Sequence, residues 1–341
     1  MHNNGAHHIN EIAVHVENLA KDFTVREKAP GLRGSVRSLW KRTARVVPAV
    51  RDVSFTLPAG EMLAFIGPNG AGKSTTIKML AGILYPSGGQ ANVLGFTPWT
   101  ERRRMAYHIG SVFGQKPQLW YHLPAEDTFS LFAQIYEVPR DKYRARRAFL
   151  VEAFQIGDLL QTPVRKLSLG QRMKCEIAAS LLHSPEIIFL DEPTIGLDVV
   201  AKQQIRAAIR TLNEQDGTTI FLTSHDAGDI ESLCKRVIVI NHGGIIFDGR
   251  TSALKRRYLR RKVLDVRFAE ALDAPFAMPG VTVLKQGTYG VKLEFDSRSV
   301  PVEQVVQQVM ATKPCNDINI ADPPMEEIIR QIYQESERVA A

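Results

Sequence analysis

The stretch Gly67-Pro68-Asn69-Gly70-Ala71-Gly72-Lys73-Ser74 constrains this chain more than any other feature. It fits G-x-x-x-x-G-K-[ST], and its flanks fit the same reading. Met62-Leu63-Ala64-Phe65-Ile66 before it is an apolar run of buried-strand type, and Thr75-Thr76-Ile77-Lys78-Met79-Leu80 after it opens a helix. A strand, a glycine loop and a helix N-terminus in this order form a phosphate cradle. The glycines let backbone N–H groups turn inward and come close to an anion. Lys73 is long enough to reach the β- and γ-phosphates, and the Ser74 hydroxyl suits Mg²⁺. The loop predicts binding of a nucleoside triphosphate; it leaves open what the energy drives.

The surrounding pattern predicts the sheet that such a loop needs. Ile187-Ile188-Phe189-Leu190, Thr219-Ile220-Phe221-Leu222 and Val237-Ile238-Val239-Ile240 are short apolar runs suited to buried parallel strands. Helical stretches separate them, which predicts an α/β core. Ile109 to Phe113 is a further strand, residues 124–160 and 169–183 read as helical, and Gly243 to Gly249 reads as a last hairpin strand. Ile12 to Val16 and the alternating Val50 to Leu57 are strands before the loop, and Ser87-Gly88-Gly89 is a turn after it. Beyond residue 262 the pattern changes. Val263 to Phe268, Val281 to Leu284 and Val291 to Phe295 read as strands, Val302 to Met310 as a helix, Asp317 to Ile320 as extended and Met325 to Tyr333 as helical. The expected organisation is a nucleotide-binding domain over 1–249, a basic linker helix over 250–262 and a small α+β domain over 263–341.

Composition excludes some classes. A chain of 341 residues with 44% hydrophobic content suits a soluble protein with a sizeable core. No apolar run approaches the roughly 18 residues that span a bilayer, and Met1 to Asn10 has no apolar signal core. A cytosolic protein is expected, with any membrane role coming through a partner. Cys175, Cys234 and Cys315 have no metal-ligand spacing and are expected to be packing residues. The net charge of +7 is uneven: residues 24–50 carry +6 and residues 250–262 carry +7, so the rest of the chain is net −6. Two basic patches on an acidic body argue against nucleic acid as the partner.

Leu190-Asp191-Glu192-Pro193 ends an apolar strand. A carboxylate at that tip can hold Mg²⁺ through its water shell, which is the role expected of Asp191. Glu192 is then placed to orient or deprotonate an attacking water. Just upstream lies Leu167-Ser168-Leu169-Gly170-Gln171, and downstream lie Gly196-Leu197-Asp198 and Thr223-Ser224-His225, with Gln115 after a predicted strand. In this order and combination, over residues 11–249, the chain resembles the nucleotide-binding subunit of an ABC transporter.

The resemblance implies a P-loop NTPase fold of ABC type: a RecA-like core, an antiparallel β subdomain and a helical subdomain, here followed by the α+β domain. It implies ATP and Mg²⁺ as ligands. ATP is bound by Gly67, Pro68, Asn69, Gly70, Ala71, Gly72, Lys73, Ser74 and Thr75 of one chain and by Ser168, Gly170 and Gln171 of a second. Mg²⁺ is held by Ser74, Asp191 and Gln115. Glu192, His225, Lys73 and Gln115 are the catalytic set, with Gln115 also coupling the site to a membrane subunit and Asp198 communicating across the dimer. Phe23 stands where the family stacks an aromatic on adenine; the other reading is a strand-edge aromatic packed on the core. Leu169 departs from the common pattern, which has glycine there, and resembles a variant in subunits of ABC-2-type exporters. The implied partners are a second copy or a paralogous ATPase subunit, and a permease of ABC-2 type. The implied location is the cytoplasmic face of the membrane.

Lys116-Pro117-Gln118-Leu119-Trp120-Tyr121-His122-Leu123-Pro124 holds two adjacent aromatics and two leucines, costly to expose. In the family this region receives the permease; ordinary packing in the helical subdomain is the other reading. In residues 32–47, Arg33, Arg37, Lys41 and Arg45 recur every four residues beside a stripe of Leu32, Val36, Leu39, Trp40 and Val47. This predicts a basic amphipathic helix, either on an anionic lipid surface or packed on its own domain. Two alternatives to an exporter subunit remain: an importer ATPase, whose tail would be barrel-like, and a soluble ABC ATPase acting on ribosome or DNA. The second normally needs tandem cassettes or coiled coils, and this chain has one cassette and no heptads.

Overall fold

A computed structural model describes residues 12–26, 44–114, 117–224, 226–258 and 261–321, with Ile329 and Ile332. Gln115, His225, most of the basic insertion and most of the 325–333 segment lie outside the described residues. The chain divides into two compact units, residues 1–248 and 249–341.

Among its described residues the first unit holds two sheets. In one, β1 (Ile12–Arg26) lies between β2 (Ala44–Pro58) and β4 (Gly88–Val93), antiparallel to both. The other has six strands in the order β5-β6-β7-β3-β8-β9: β3 (Met62–Ile66), β5 (Ile109–Phe113), β6 (Ile187–Asp191), β7 (Thr219–Thr223), β8 (Arg236–Asn241) and β9 (Gly244–Arg250). Strands β3, β5, β6, β7 and β8 run parallel. Their residues are buried almost throughout, which is why they read as unbroken apolar runs. Phe55 of β2 meets Phe65 of β3 and Phe221 of β7 with ring centroids at 6.0 and 5.9 Å, and Phe65 and Phe221 stand 5.3 Å apart. These tilted contacts join the two sheets behind the glycine loop.

The helices of this unit are α1 (Lys73–Leu80), α2 (Arg102–Met105), α3 (Ala125–Ile135), α4 (Arg140–Phe154), α5 (Leu169–Ser180), α6 (Val199–Asp216) and α7 (Ala227–Leu233). The helical reading of 124–160 thus resolves into two helices. The first ends at Tyr136, and Pro139 is the N-cap of the second, where its missing N–H costs nothing. The turn at Ser87-Gly88-Gly89 is the start of β4, a strand that begins exposed and polar and gives no apolar signal.

Two further expectations change. Arg45, Val46 and Val47 do not continue a helix from residue 32: they lie in β2, paired with Val25, Thr24 and Phe23 of β1. The backbone ladder of a long two-stranded ribbon overrides the helical spacing there. The basic linker is also shorter than 250–262. Helix α8 spans Thr251–Tyr258, and Arg261 and Lys262 already pair with Asp296 and Phe295.

The second unit is an antiparallel sheet in the order β11-β12-β10-β13, with β10 (Arg261–Phe268), β11 (Val281–Gly287), β12 (Gly290–Asp296) and β13 (Cys315–Ala321). Helix α9 (Val302–Thr312) buries Val305 and Val309 in a core with Leu264, Val266, Leu293 and Phe295. On the opposite face Asp265 lies directly across from Lys292, and Val263 is buried across from Glu294. Cys175 and Cys234 are buried in the first unit. Burial pushes the Cys175 thiol up to about 12 and the Cys234 thiol upward as well, so neither forms a reactive thiolate.

Candidate functional site

The carboxyl ends of β3, β7 and β6 lie side by side, and three functional segments leave them. This is the edge at which open α/β sheets bind ligands. From β3 comes the glycine loop. Gly72 is the N-cap of α1 with φ +107°, and a Cβ there would come within 2.5 Å of the Ala49 carbonyl oxygen. Only glycine fits that position. The first turn of α1 has neither a side-chain cap nor an acidic residue, so its N–H groups and the positive end of the helix are left for an anion. Asn69 and Gly70 are exposed at the loop tip, while Gly67, Ala71 and Gly72 are buried. Thr75 lies in the first turn of α1. The Lys73 ammonium is 5% exposed and donates to the carbonyl oxygens of Gly67 at 2.7 Å and Pro68 at 3.3 Å.

From β6 and β7 come the carboxylates and the group that orients them. Ser74 donates its hydroxyl hydrogen to Asp191 Oδ1 at 3.1 Å, and Thr223 donates to the same oxygen at 2.6 Å. Glu192 has φ +53°, which turns the chain sharply after β6. That left-handed backbone is held by Glu192 N–H, which donates to Thr223 O at 3.0 Å and Thr223 Oγ1 at 3.1 Å. The turn places Glu192 Oε1 3.6 Å from Lys73 Nζ. A hydroxyl and a carboxylate that share a hydrogen bond beside the phosphate loop are hard oxygen donors of the kind Mg²⁺ takes. Mg²⁺ keeps several waters and needs few protein ligands, so this pair fits it. Among the described residues there is no cluster of three or more His, Cys, Asp or Glu that would form an all-protein metal cage.

The 168–171 segment is built differently. Ser168 is the N-cap of α5 in a capping box: Gln171 N–H donates to Ser168 Oγ at 3.2 Å, and Ser168 N–H donates to Gln171 Oε1 at 2.9 Å. Ser168 and Leu169 face solvent, and Leu169 is 40% exposed. Gly170 is buried where a Cβ would stand 2.7 Å from Ala201 Cβ, so α5 and α6 approach closely at this point. Asp198 caps α6 by accepting from Ala201 N–H at 2.8 Å. Among the described residues, no hydrogen bond joins this segment to the phosphate loop of the same chain. Phe23 stands on β1 opposite Val47, 38% exposed, with Lys21 Nζ 5.4 Å from its ring centroid.

Two residues to which sequence reasoning assigned no role of their own, Thr223 and Asp229, hold this edge together. Thr223 links Asp191 to the Glu192 backbone as described. Asp229, fully buried in α7, accepts from Thr194 Oγ1 at 2.5 Å, Ser224 Oγ at 2.7 Å and Arg206 Nε at 2.7 Å. It thereby ties the loop after β6, the loop after β7 and α6 into one unit. Nearby, burial works to raise the Asp226 carboxyl, but Lys202 and Arg206 outweigh it and hold the group below the usual carboxylate range. The network's partners lie 23 to 35 residues from Asp229 in the chain, apart from Ser224, so no local spacing announces them.

The family described as ABC transporter matches residues 50–195. The chain is 36% identical over 210 residues to the ABC transporter ATP-binding protein NatA of Bacillus subtilis, covering 62% of this chain and 85% of that one. It is 38% identical over 216 residues to the fluoroquinolones export ATP-binding protein of Mycobacterium tuberculosis, covering 63% and 70% of the two chains. A solved ATP-binding subunit of an ABC transporter superposes with a TM-score of 0.59 at 25% identity, over 72% of this chain and 93% of that one.

Proposed function

This chain belongs to the ATP-binding subunits of ABC transporters and is an ATPase of that family, and from that premise we propose that two copies close over two ATP molecules to drive export through a separate permease. The observation that carries the reading is the pairing of a bare helix N-terminus and Lys73 with Ser74, Asp191 and Glu192 within hydrogen-bond or ion-pair reach. The loop Gly67–Ser74, with Thr75, takes the phosphates of one ATP. Ser74 and Asp191 hold Mg²⁺, which supplies positive charge at the phosphates when bound. Glu192 orients and deprotonates the attacking water, and Phe23 offers an aromatic face to the base. The catalytic set also includes Gln115 and His225.

The exposed Ser168, with the Gly170 backbone and Gln171 behind it, completes the site of the other chain. Support for this comes from the outward-facing N-terminus of α5, which has no hydrogen bond to its own phosphate loop among the described residues. Splitting the cradle over two chains makes ATP the adhesive, so hydrolysis releases closure.

Export is supported by the likeness to a fluoroquinolones export ATP-binding protein; a permease of ABC-2 type and a position on the cytoplasmic face of the membrane belong to the same proposal. No helix among the described residues is long and apolar enough to cross a membrane, so the path for cargo is assigned to another subunit. Among its described residues the C-terminal unit is a four-stranded sheet backed by a helix, which favours an exporter over an importer. That unit serves dimerisation or regulation. The rest of the insertion, through residues 32–43, contacts anionic lipid.

Trp120 and Tyr121 are 51% and 53% exposed, and Leu123 is 37% exposed. This apolar edge receives the permease. Replacing Trp120 with alanine is expected to leave nucleotide affinity unchanged and to cost less than about 1 kcal/mol of stability. Transport in native membrane vesicles is expected to fall sharply while ATPase activity of the isolated chain persists. Collapse of thermal stability in Trp120→Ala would assign the ring to packing, and full transport would remove it from the interface.

A further inference from the structure

The exposed aromatic loop is held on one side by the helix capped by Ser168 and on the other by the turn that leads into it. On one side is Glu176, two turns into α5 and only 3% exposed. Its Oε2 accepts from Gln118 N–H at 2.8 Å and its Oε1 from Leu119 N–H at 3.4 Å. The next amide, Trp120 N–H, donates to the fully buried Thr128 hydroxyl of α3 at 3.3 Å. Leu119 is buried beneath and anchors the segment. On the other side, Arg165 N–H donates to Tyr121 O at 2.9 Å and Val164 N–H to Leu123 O at 3.0 Å, from the short turn that leads into Ser168.

The loop therefore has little freedom to move apart from α5. Three successive backbone amides are satisfied by side chains of other elements, and two of the three go to one carboxylate. A buried carboxylate is an expensive choice for a merely structural cap, because desolvation penalises its charge. Burial pushes the Glu176 carboxyl upward, with the two amide donors and Arg172 pulling it back. A charged acceptor forms stronger hydrogen bonds than a neutral one. We propose that Glu176 is a positioning residue that couples displacement of the Ser168 helix to the exposed loop at Trp120 and Tyr121. The inference rests on the two-chain reading above, in which the partner's ATP acts on Ser168. The chain of contacts then runs from that phosphate through α5 to Glu176 and out to the aromatic edge.

The test uses the full chain with Trp120 as the sole tryptophan, obtained by Trp40→Phe and Trp99→Phe, in a Glu192→Gln background that retains ATP. Three quantities are read on adding Mg²⁺ and ATP: molecular mass by light scattering, affinity by titration of a fluorescent ATP analogue, and Trp120 emission with its quenching by acrylamide. With Glu176 in place, ATP doubles the mass and changes the Trp120 signal. In Glu176→Ala, affinity is expected to stay within about two-fold while the Trp120 change shrinks about five-fold or more, as loss of the amide bonds frees the loop. Glu176→Gln keeps the volume and one acceptor oxygen, and gives an intermediate response. An undiminished Trp120 change in Glu176→Ala, or in Glu176→Gln should the alanine variant not fold, overturns the inference while leaving the dimer standing. So does closure without any Trp120 change in the parent. Failure of the parent to close with ATP overturns the two-chain reading, and the inference with it.

Discussion

Glu192→Gln binds ATP, closes into a stable dimer and turns over about 100- to 10,000-fold more slowly than the unaltered chain, the range expected for loss of a general base. Three features of the site support this outcome. Glu192 sits at a backbone φ of +53°, a conformation held by two hydrogen bonds from its N–H to Thr223. Those bonds use only the backbone N–H of Glu192, not its side chain, so the substitution leaves the turn intact. The carboxamide is isosteric and still accepts a hydrogen bond, so a water can be held, but it cannot take the proton. The charge lost is the one 3.6 Å from Lys73 Nζ. Removing it lowers the negative charge that competes with phosphate for Lys73, which favours retention of ATP. Rates from phosphate release and mass by light scattering check both halves of the expectation. Hydrolysis at the unaltered rate would remove Glu192 from the role of base.

Lys73→Ala is the second large effect. The ammonium is almost wholly buried and bonded to the Gly67 and Pro68 carbonyl oxygens of its own loop. In the proposed complex it turns from these neutral acceptors to the charged phosphates. Hydrogen bonds to charged groups contribute about 1.5–3 kcal/mol, so ATP affinity is expected to fall about 10- to 100-fold, with hydrolysis lost as well. The helix N-terminus and the Ser74–Asp191 pair remain, which is why binding weakens rather than vanishes. Titration with a fluorescent ATP analogue measures this. Unchanged affinity would place the phosphates elsewhere.

The parts of the molecule legible in its sequence are those where local pattern and tertiary demand agree. Strands β3, β6, β7 and β8 are buried on both faces, so their apolar runs are unambiguous. The loop from Gly67 to Ser74 is legible because a tight phosphate cradle admits few residue types. Strand β4 was not, since Gly88, Gly89 and Gln90 are exposed and its pairing with β1 arises from a distant partner. The same cause misplaced Arg45, the last of the every-fourth row, and Val47, the last of its apolar stripe: their partners are Val25 and Phe23 of β1. Buried polar networks left no trace at all. Glu176 meets Gln118 and Asp229 meets Thr194 only after the chain has folded, and nothing within a turn of either residue marks them.

In the proposed dimer each ATP lies between Lys73 of one chain and Ser168 of another, and mixing two inactive variants shows whether it does. One chain carries Lys73→Ala. The other carries Ser168→Asp, which keeps the N-cap of α5, because Asp caps as well as Ser, and sets a negative charge against the phosphate. Each homodimer has a lesion in both of its sites. A mixed dimer pairs the intact Gly67–Ser74 loop of the second chain with the intact Ser168 of the first, so one of its sites is whole. ATPase activity well above the sum of the two separate preparations is the predicted result. A mixture that contains mixed dimers by mass and yet is no more active than that sum would contradict the shared site.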